Sequence, residues 1–502
     1  MISALGAIRE DNVTRLPEAR LYIDGQIRAA AGGKTYDVIG PWTGNVVTLA
    51  ADATAEDVNE AIAAARRAFD QTDWPWNQGH RLKLIKKLMD LIKANRERFS
   101  EIARLEAGAA LGAIPLAQID NAITGADALI DIFPTITWEE PRGQASFMGR
   151  RSERLVVYEP IGVAAAITPW NVPLYVNLGK VIAGLLAGCT VILKPAPNTP
   201  SAATILGELA QQAGFPPGVF NVVTSQDPAM AGEMLTKDPR VDLISFTGST
   251  MVGKKIMENG AATLKRLFLE LGGKSANIIL DDAPNFAEAV GRSMVIFHAG
   301  QGCAICTRLL VPRSRYTEAV TILEKAYAAF GDNWGDFESP RHIMGPVISK
   351  KQMDRVMEYI ALGQKEGAHL LAGGRARPDK GGGFFVEPTC FVNVKNTMRI
   401  AQEEIFGPVL VVIPFEDDED AIRIANESEY GLAGQVTSGD MGRAVHIARR
   451  IRTGSVGVNG GSAIAGDLPF GGFKSSGMGR EWGHEGIEEF LETKVIAIGT
   501  AS

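Results

Sequence analysis

The chain has 502 residues, 46% of them hydrophobic and 22% charged, with a formal net charge of −7. That length exceeds one ordinary core, so two or three domains are expected, and the balance is that of a soluble globular protein. No Lys/Arg run is long enough to form a nucleic-acid face, and four cysteines make no disulfide framework, which fits a reducing compartment. Glu10, Asp11 and Glu18 interrupt the first twenty residues, which therefore do not read as a secretory signal. The longest apolar stretches, 161–168 and 181–193, are too short to span a bilayer. A cytoplasmic protein is expected, with neither nucleic acid nor membrane as a partner.

Residues 21–50 read as short strands with turns at Asp24-Gly25, Gly32-Gly33 and Thr43-Gly44. A helix follows. Thr54 with Asp57 three residues on resembles a capping box, and Val58, Ile62, Ala65 and Phe69 recur at helical spacing. A second helix is predicted over about 78–99, with Leu84, Leu88, Leu91 and Ile92 on one face, and a third over about 115–133. Residues 141–158 are polar and Arg-rich before they alternate towards Leu155-Val156-Val157-Tyr158. They read as an exposed hairpin, which docks on a partner or stays marginal.

From 161 the pattern becomes strand, helix, strand. Strands are expected at 161–168, 189–194, 219–223 and 243–246, with a helix at about 173–187. Thr199-Pro200 reads as a cap followed by a first-turn proline. This alternation predicts an α/β fold with a parallel, doubly wound sheet. Residues 275–280 open a second α/β unit that runs to about 465. There are no internal repeats or low-complexity segments.

Several segments carry chemistry. Thr168-Pro169-Trp170-Asn171 leaves a strand; its Asn amide either donates to an oxyanion or is an ordinary turn residue. Lys194 ends a strand, where ligands bind in doubly wound sheets, so it either holds ribose or phosphate or snorkels to solvent. Thr247-Gly248-Ser249-Thr250 opens a helix. It either cradles a phosphate or is a Ser-capped start. Glu270, in Leu269-Glu270-Leu271-Gly272-Gly273-Lys274, and Cys303, in Gly300-Gln301-Gly302-Cys303, suit a covalent hydrolytic cycle: a thiolate attacks a carbonyl and a carboxylate later activates water. Cys303 and Cys306 form a C-x-x-C without a second pair or a His at zinc spacing, so no metal is expected.

Together these segments resemble the aldehyde dehydrogenase superfamily over nearly the whole chain. Seven match in the family's order: Ile167-Thr168-Pro169-Trp170-Asn171, Lys194-Pro195, Phe246-Thr247-Gly248-Ser249-Thr250, Leu269 to Lys274, Gly300 to Cys303, Glu404-Ile405-Phe406-Gly407-Pro408 and Pro469-Phe470-Gly471-Gly472. The resemblance implies Cys303 as nucleophile, Asn171 with the Cys303 N–H as oxyanion hole, Glu270 as general base and Lys180 as a lysine of the nicotinamide ribose and proton relay. It implies cofactor contacts at Thr168, Trp170, Lys194, Pro197, Gly248, Ser249, Glu404 and Phe406. Glu270 serves in both halves of the cycle, so it is expected to change rotamer.

The sequence departs from the family in three places. Pro197 stands where many NAD-preferring members have a ribose-binding glutamate, so NAD is the expected cofactor and NADP the alternative. His298 stands where an asparagine is common, and is read as a hydrogen-bonded structural residue. Cys306 could trap the nucleophile as a disulfide. By the same alignment Val172, Tyr175, Val176, Gly179, Phe297, Gly302, Ala304, Ile464 and Phe470 line the substrate tunnel. Val172 and Gly179 replace bulkier residues and no arginine is among them, so a roomy apolar tunnel for an aromatic or terpenoid-like aldehyde is expected.

The implied architecture is a Rossmann-like cofactor domain (1–140 and 159–270), an α/β catalytic domain (271–465) and a small β oligomerisation domain (141–158 and 485–502). The strand-like residues 494–498 could extend a partner's sheet in a homodimer or homotetramer. Two other readings remain. A CoA-acylating semialdehyde dehydrogenase typically lacks the general-base glutamate. A non-catalytic dinucleotide-binding protein would not need the set of Asn171, Glu270 and Cys303.

Overall fold

The computed structural model describes residues 8–10 and 13–499. Expectations that reach residues 1–7, 11–12 and 500–502 lie outside the described residues. Among the described residues an eight-stranded sheet runs in the order Gly477–Met478, Arg266–Glu270, Leu243–Thr247, Val163–Ile167, Thr190–Lys194, Phe220–Val222, Leu21–Ile23 and Gln26–Arg28. The five strands between Arg266–Glu270 and Phe220–Val222 are mutually parallel, and the outer pairings are antiparallel. Val163–Ile167, Thr190–Lys194 and Leu243–Thr247 are buried along their whole length, as strands covered on both faces must be. The chain enters at Val163–Ile167, builds outwards to Thr190–Lys194 and Phe220–Val222, then returns to the other side at Leu243–Thr247. The order therefore reverses between Val163–Ile167 and Leu243–Thr247. A crevice for ligands opens beyond the carboxyl ends at such a switch.

Helix Pro173–Ala187 begins on a proline and stops at Gly188, held at φ 100°. Its residues from Val176 to Ala187 are all buried, so it is a core element and not an amphipathic one. Helix Ala55–Gln71 carries the expected capping box: Thr54 accepts from Asp57 N, and Asp57 returns the bond. Its apolar face, with Val58 and Ile62, packs under the sheet.

Three expectations are corrected. The helix predicted over about 78–99 is two helices, Gln78–Ala94 and Arg96–Glu106. The break falls at Asn95, whose side-chain amide donates to Leu91 O at 2.8 Å and competes with the helical ladder. The segment predicted over about 115–133 starts as a π-turn, Ile114–Gln118, with Pro115 inside it, and becomes α-helical only over Asp120–Ile132. Thr199 caps nothing; helix Ser201–Ala213 is capped from outside by Glu106, which accepts from Ser201 N at 3.2 Å and from the Ser201 hydroxyl.

A seven-stranded sheet runs His369–Ala372, Thr389–Val392, Val409–Phe415, Cys306–Pro312, Ser275–Ile279, Ala433–Thr437 and Ser455–Val458, parallel except at the first pairing. The predicted hairpin is present as Glu139–Phe147 and Arg150–Pro160. The tail strand Leu491–Gly499 pairs antiparallel with Arg150–Pro160 of its own chain, with Lys494 opposite Val157. The resulting three-stranded sheet leaves Val495, Ile498 and the hairpin tip, Phe147 and Met148, exposed. Among the described residues no helix is long and apolar enough to cross a membrane.

Candidate active site

Cys303 follows an irregular turn. His298, Ala299 and Gly300 all have positive φ, at 47°, 51° and 74°. The last must be glycine, because a Cβ there would lie 2.1 Å from Gly407 O. Gln301 pins the turn with three bonds: Nε2 donates to His298 O at 3.1 Å and Pro346 O at 3.3 Å, and Oε1 accepts from Ile348 N at 2.8 Å. A second close approach joins this turn to Glu270. The Cα of Gly273 touches the Cys303 backbone so closely that a Cβ would sit 2.5 Å from Cys303 O. The glycines after Glu270 thus let a strand exit and the nucleophile turn meet.

Glu270 ends strand Arg266–Glu270 and is 2% exposed. Burial pushes its carboxyl up to about 8, against the pull of a hydrogen bond with the Cys303 thiol; the charges of Glu481 and Glu404 raise it and that of Lys180 lowers it. Its Oε1 has no hydrogen-bond partner among the described residues. The Cys303 thiol is pushed well above its ordinary range by burial and then by Glu270. The pair therefore rests with both protons on, and the first proton to leave belongs to the pair.

Lys180 Nζ lies 3.1 Å from Glu481 Oε1, donates to Ser245 Oγ at 3.1 Å and sits 4.6 Å from the centroid of the Phe268 ring. Burial lowers the Lys180 ammonium and raises the Glu481 carboxyl. Glu481 is held by reciprocal 2.7 Å backbone bonds with Phe470. Sequence reasoning missed Glu481. It stands in Arg480-Glu481-Trp482-Gly483-His484-Glu485, and nothing in its spacing separates it from the acids beside it. The Asn171 amide Nδ2 donates to Gln301 O at 3.0 Å, in the Cys303 turn, which leaves the amide a second proton to donate.

The cofactor candidates gather at the switch crevice. The hydroxyls of Thr168, just past strand Val163–Ile167, and Thr247, the last residue of the adjacent strand, are buried without a partner among the described residues. Lys194 ends the next strand, is 3% exposed and makes one long bond, 3.4 Å to Pro195 O. Burial lowers it to about 8, against the pull of Asp227. Pro197 is half-buried three residues on. Ser249 caps helix Thr250–Ala261 by accepting from Val252 N at 3.4 Å. Gly248 lies where a Cβ would strike the Phe246 ring at 2.5 Å. On the other wall Glu404 Oε1 accepts from Gly273 N at 3.0 Å, and Phe406 meets Trp170 edge-on, with ring centroids 5.3 Å apart.

Of the tunnel candidates, Val172, Tyr175, Phe297, Gly302 and Ala304 are half-buried, Val176 and Phe470 are buried, and Ile464 is exposed. Gly179 does not leave open space. A Cβ there would lie 2.8 Å from the fully buried indole of Trp482, which fills the gap. Trp482 in turn packs on Tyr175, with centroids 4.6 Å apart. The roominess expected from Gly179 is corrected to an aromatic wall. The Cys306 thiol donates to Ala276 O at 3.6 Å, and burial pushes it up to about 12, so it holds no ready thiolate.

Known proteins resemble this chain in sequence and in fold. The family model described as "Aldehyde dehydrogenase family" matches residues 27–496. A 3-succinoylsemialdehyde-pyridine dehydrogenase of a Pseudomonas species is 42% identical over 490 residues, covering 95% of this chain and 97% of that one. A putative aldehyde dehydrogenase of Bacillus subtilis, DhaS, is 39% identical over 481 residues, with 95% of each chain covered. Among solved structures, betaine aldehyde dehydrogenase of Staphylococcus aureus in complex with NAD+ superposes with TM-score 0.92 at 36% identity, covering 96% of this chain and 95% of that one. Aldehyde dehydrogenase C of Pseudomonas syringae, as a cysteine-to-alanine mutant with NAD+ and octanal, gives 0.88 at 37% identity over 98% of each chain.

Proposed function

The chain belongs to the aldehyde dehydrogenase family, and from that premise we propose that it oxidises a bulky apolar aldehyde, aromatic or terpenoid-like, to the free acid with NAD. The observation that carries the hydrolytic reading is the buried Glu270 carboxyl against the Cys303 thiol, beside the Asn171 amide. An aromatic substrate is supported by the half-buried Tyr175 ring, which Trp482 backs, by the absence of arginine among the tunnel residues, and by the relative named for a pyridine semialdehyde.

The unpartnered Thr168 and Thr247 hydroxyls and the sparsely bonded Lys194 fit a dinucleotide at the carboxyl ends of the strands. Lys194, Pro197 and Thr168, whose N–H bonds to Lys194 O, would lie at the adenosine ribose, Gly248, Ser249 and Trp170 at the pyrophosphate, and Glu404 and Phe406 at the nicotinamide end. When bound, NAD supplies the hydride acceptor. With Pro197 in place of an acid, the carboxylate left to disfavour a 2′-phosphate is Asp227, whose charge reaches Lys194.

The residues of this chain do the rest. Once the pair has lost one proton, the Glu270 carboxylate takes the Cys303 proton as sulfur bonds to the aldehyde carbon. The oxyanion is held by Asn171 Nδ2 and the Cys303 N–H, donors of a kind worth on the order of 3 kcal/mol each. Once hydride has left, a Cys303 thioester remains. Glu270 passes that first proton on, then takes a proton from water as the water oxygen bonds to the acyl carbon; the C–S bond breaks to release the acid, and Glu270 returns its proton to the Cys303 sulfur. Lys180 and Glu481, which act on Glu270 electrostatically, supply the route for its proton.

We read the chain as three domains, 1–140 with 159–270, 271–465, and 141–158 with 485–502. The last carries the exposed apolar strand Leu491–Gly499 and supports a cytoplasmic homodimer or homotetramer. The test is NAD(P)H formation from an aldehyde panel by wild type and by Cys303→Ala, with product analysis in the absence of CoA. Free acid from wild type and none from the variant is expected. Turnover only with CoA would refute hydrolysis, and best kcat/KM on short or anionic aldehydes would refute the substrate class.

A further inference from the structure

Two irregular elements, far apart in sequence, converge behind the oxyanion donor. Gln118 ends the π-turn Ile114–Gln118, and His298 opens the left-handed turn before Cys303. Gln118 Nε2 donates to Asn171 O at 2.9 Å and stands 3.5 Å from His298 Nε2. His298 Nδ1 has no partner among the described residues, so the ring's polar contact is with the Gln118 amide. Both side chains are buried, and π-turns and left-handed non-glycine residues are costly features that cluster at functional sites. Burial also lowers the imidazole to about 4, which keeps it neutral with one N–H at working pH.

We propose that Gln118 and His298 are positioning residues that clamp the Asn171 carbonyl, Gln118 by its direct bond and His298 by backing the Gln118 amide, and so aim the Asn171 amide at the oxyanion. The connections close a loop around the nucleophile. The Asn171 side chain donates to Gln301 O, Gln301 Nε2 donates to His298 O, the His298 ring meets the Gln118 amide, and Gln118 returns to Asn171 O. Asn171 is thus fixed at its backbone by the clamp and at its amide by the Cys303 turn. The inference rests on the oxyanion role proposed above. It adds two residues that touch neither substrate nor cofactor.

Gln118→Met keeps length and shape but removes one donor. His298→Asn keeps a residue that tolerates positive φ but removes the ring that backs the Gln118 amide. Each is measured for kcat/KM, NAD dissociation constant and melting temperature, alone and combined with Asn171→Ala, which keeps the backbone carbonyl but removes the amide. Each single variant is expected to lose kcat/KM on the order of tenfold to a hundredfold, as small misplacements of catalytic groups do, with NAD binding unchanged. In the Asn171→Ala background the same changes are expected to cost less than about twofold, because they act through the missing amide. Losses that multiply in full in that background would overturn the clamp, as would intact activity in both single variants. A wild type that oxidises no aldehyde would remove the oxyanion reading and the clamp with it, whereas an active wild type with multiplying losses removes the clamp alone.

Discussion

The Glu270 carboxyl makes a quantitative demand on the pH profile. An acid held at about 8 by burial is roughly 10% ionised at pH 7 and roughly 90% at pH 9. If hydrolysis of the thioester limits turnover, kcat rises about tenfold between those values and then levels. Two substitutions move the limb in opposite directions. Glu481→Gln removes a negative charge that raises Glu270 and frees the Lys180 charge that lowers it, so the limb shifts to lower pH. Lys180→Met removes that lowering charge, so the limb shifts to higher pH. Glu270→Gln should abolish the limb along with nearly all turnover. The assay is steady-state kcat across the neutral and alkaline range, with rapid mixing to separate the first reduction of NAD from later turnovers. A limb near the ordinary carboxylate range of about 4.3 would refute the reasoning. So would a Glu481→Gln shift to higher pH.

Asn171→Ala should lower kcat by about 10²–10³-fold with little change in NAD affinity, measured by steady-state kinetics and cofactor titration. Glu106, fully buried under helix Ser201–Ala213, is raised to about 8 by burial, so between about 4.5 and 8 the folded chain holds a proton that the unfolded chain has lost. Its contribution therefore falls as pH rises through that window, by up to roughly 1.4 kcal/mol per pH unit. Glu106→Gln should flatten the fall of the thermal midpoint between pH 5.5 and 8 relative to wild type, and parallel curves would argue against it. Gly179→Ala places a methyl 2.8 Å from a Trp482 ring with no room to retreat. The overpacking cost of about 1–3 kcal/mol should exceed the helix gain of roughly 1 kcal/mol, and calorimetry should show a lower melting temperature.

What the sequence discloses here depends on how local the cause is. Helix Pro173–Ala187 could be read to the residue because proline starts it and glycine stops it within its own segment. Asn171, Glu270 and Cys303 were legible for a related reason. Each leaves a strand or turn in a short segment whose glycines and prolines state the backbone geometry, and the approach of Gly273 to Cys303 O shows why those glycines are needed. The split at Asn95 was less legible, because apolar spacing continues across it while one side-chain bond to Leu91 O ends the ladder.

The residues that escaped are those whose meaning lies wholly in a distant partner. Glu481 is one acid among several until Lys180, about three hundred positions earlier, is placed 3.1 Å away. Gly179 reads as an empty site until Trp482 is found in the gap, and that reverses the inference drawn from it. Gln118 carries no signal in a helix-like segment until the π-turn points it at Asn171 O. These three cases have one physical origin. A motif records what a short piece of backbone must do, whereas the field around Glu270, the filling of the tunnel wall and the aim of Asn171 are set by packing between pieces. The residues proposed as base, nucleophile and oxyanion donor can therefore be picked out from segments alone. The pH at which the base works, and the shape of the aldehyde it serves, depend on Glu481, Trp482, Gln118 and His298, where substitutions should retune the enzyme while leaving its motifs untouched.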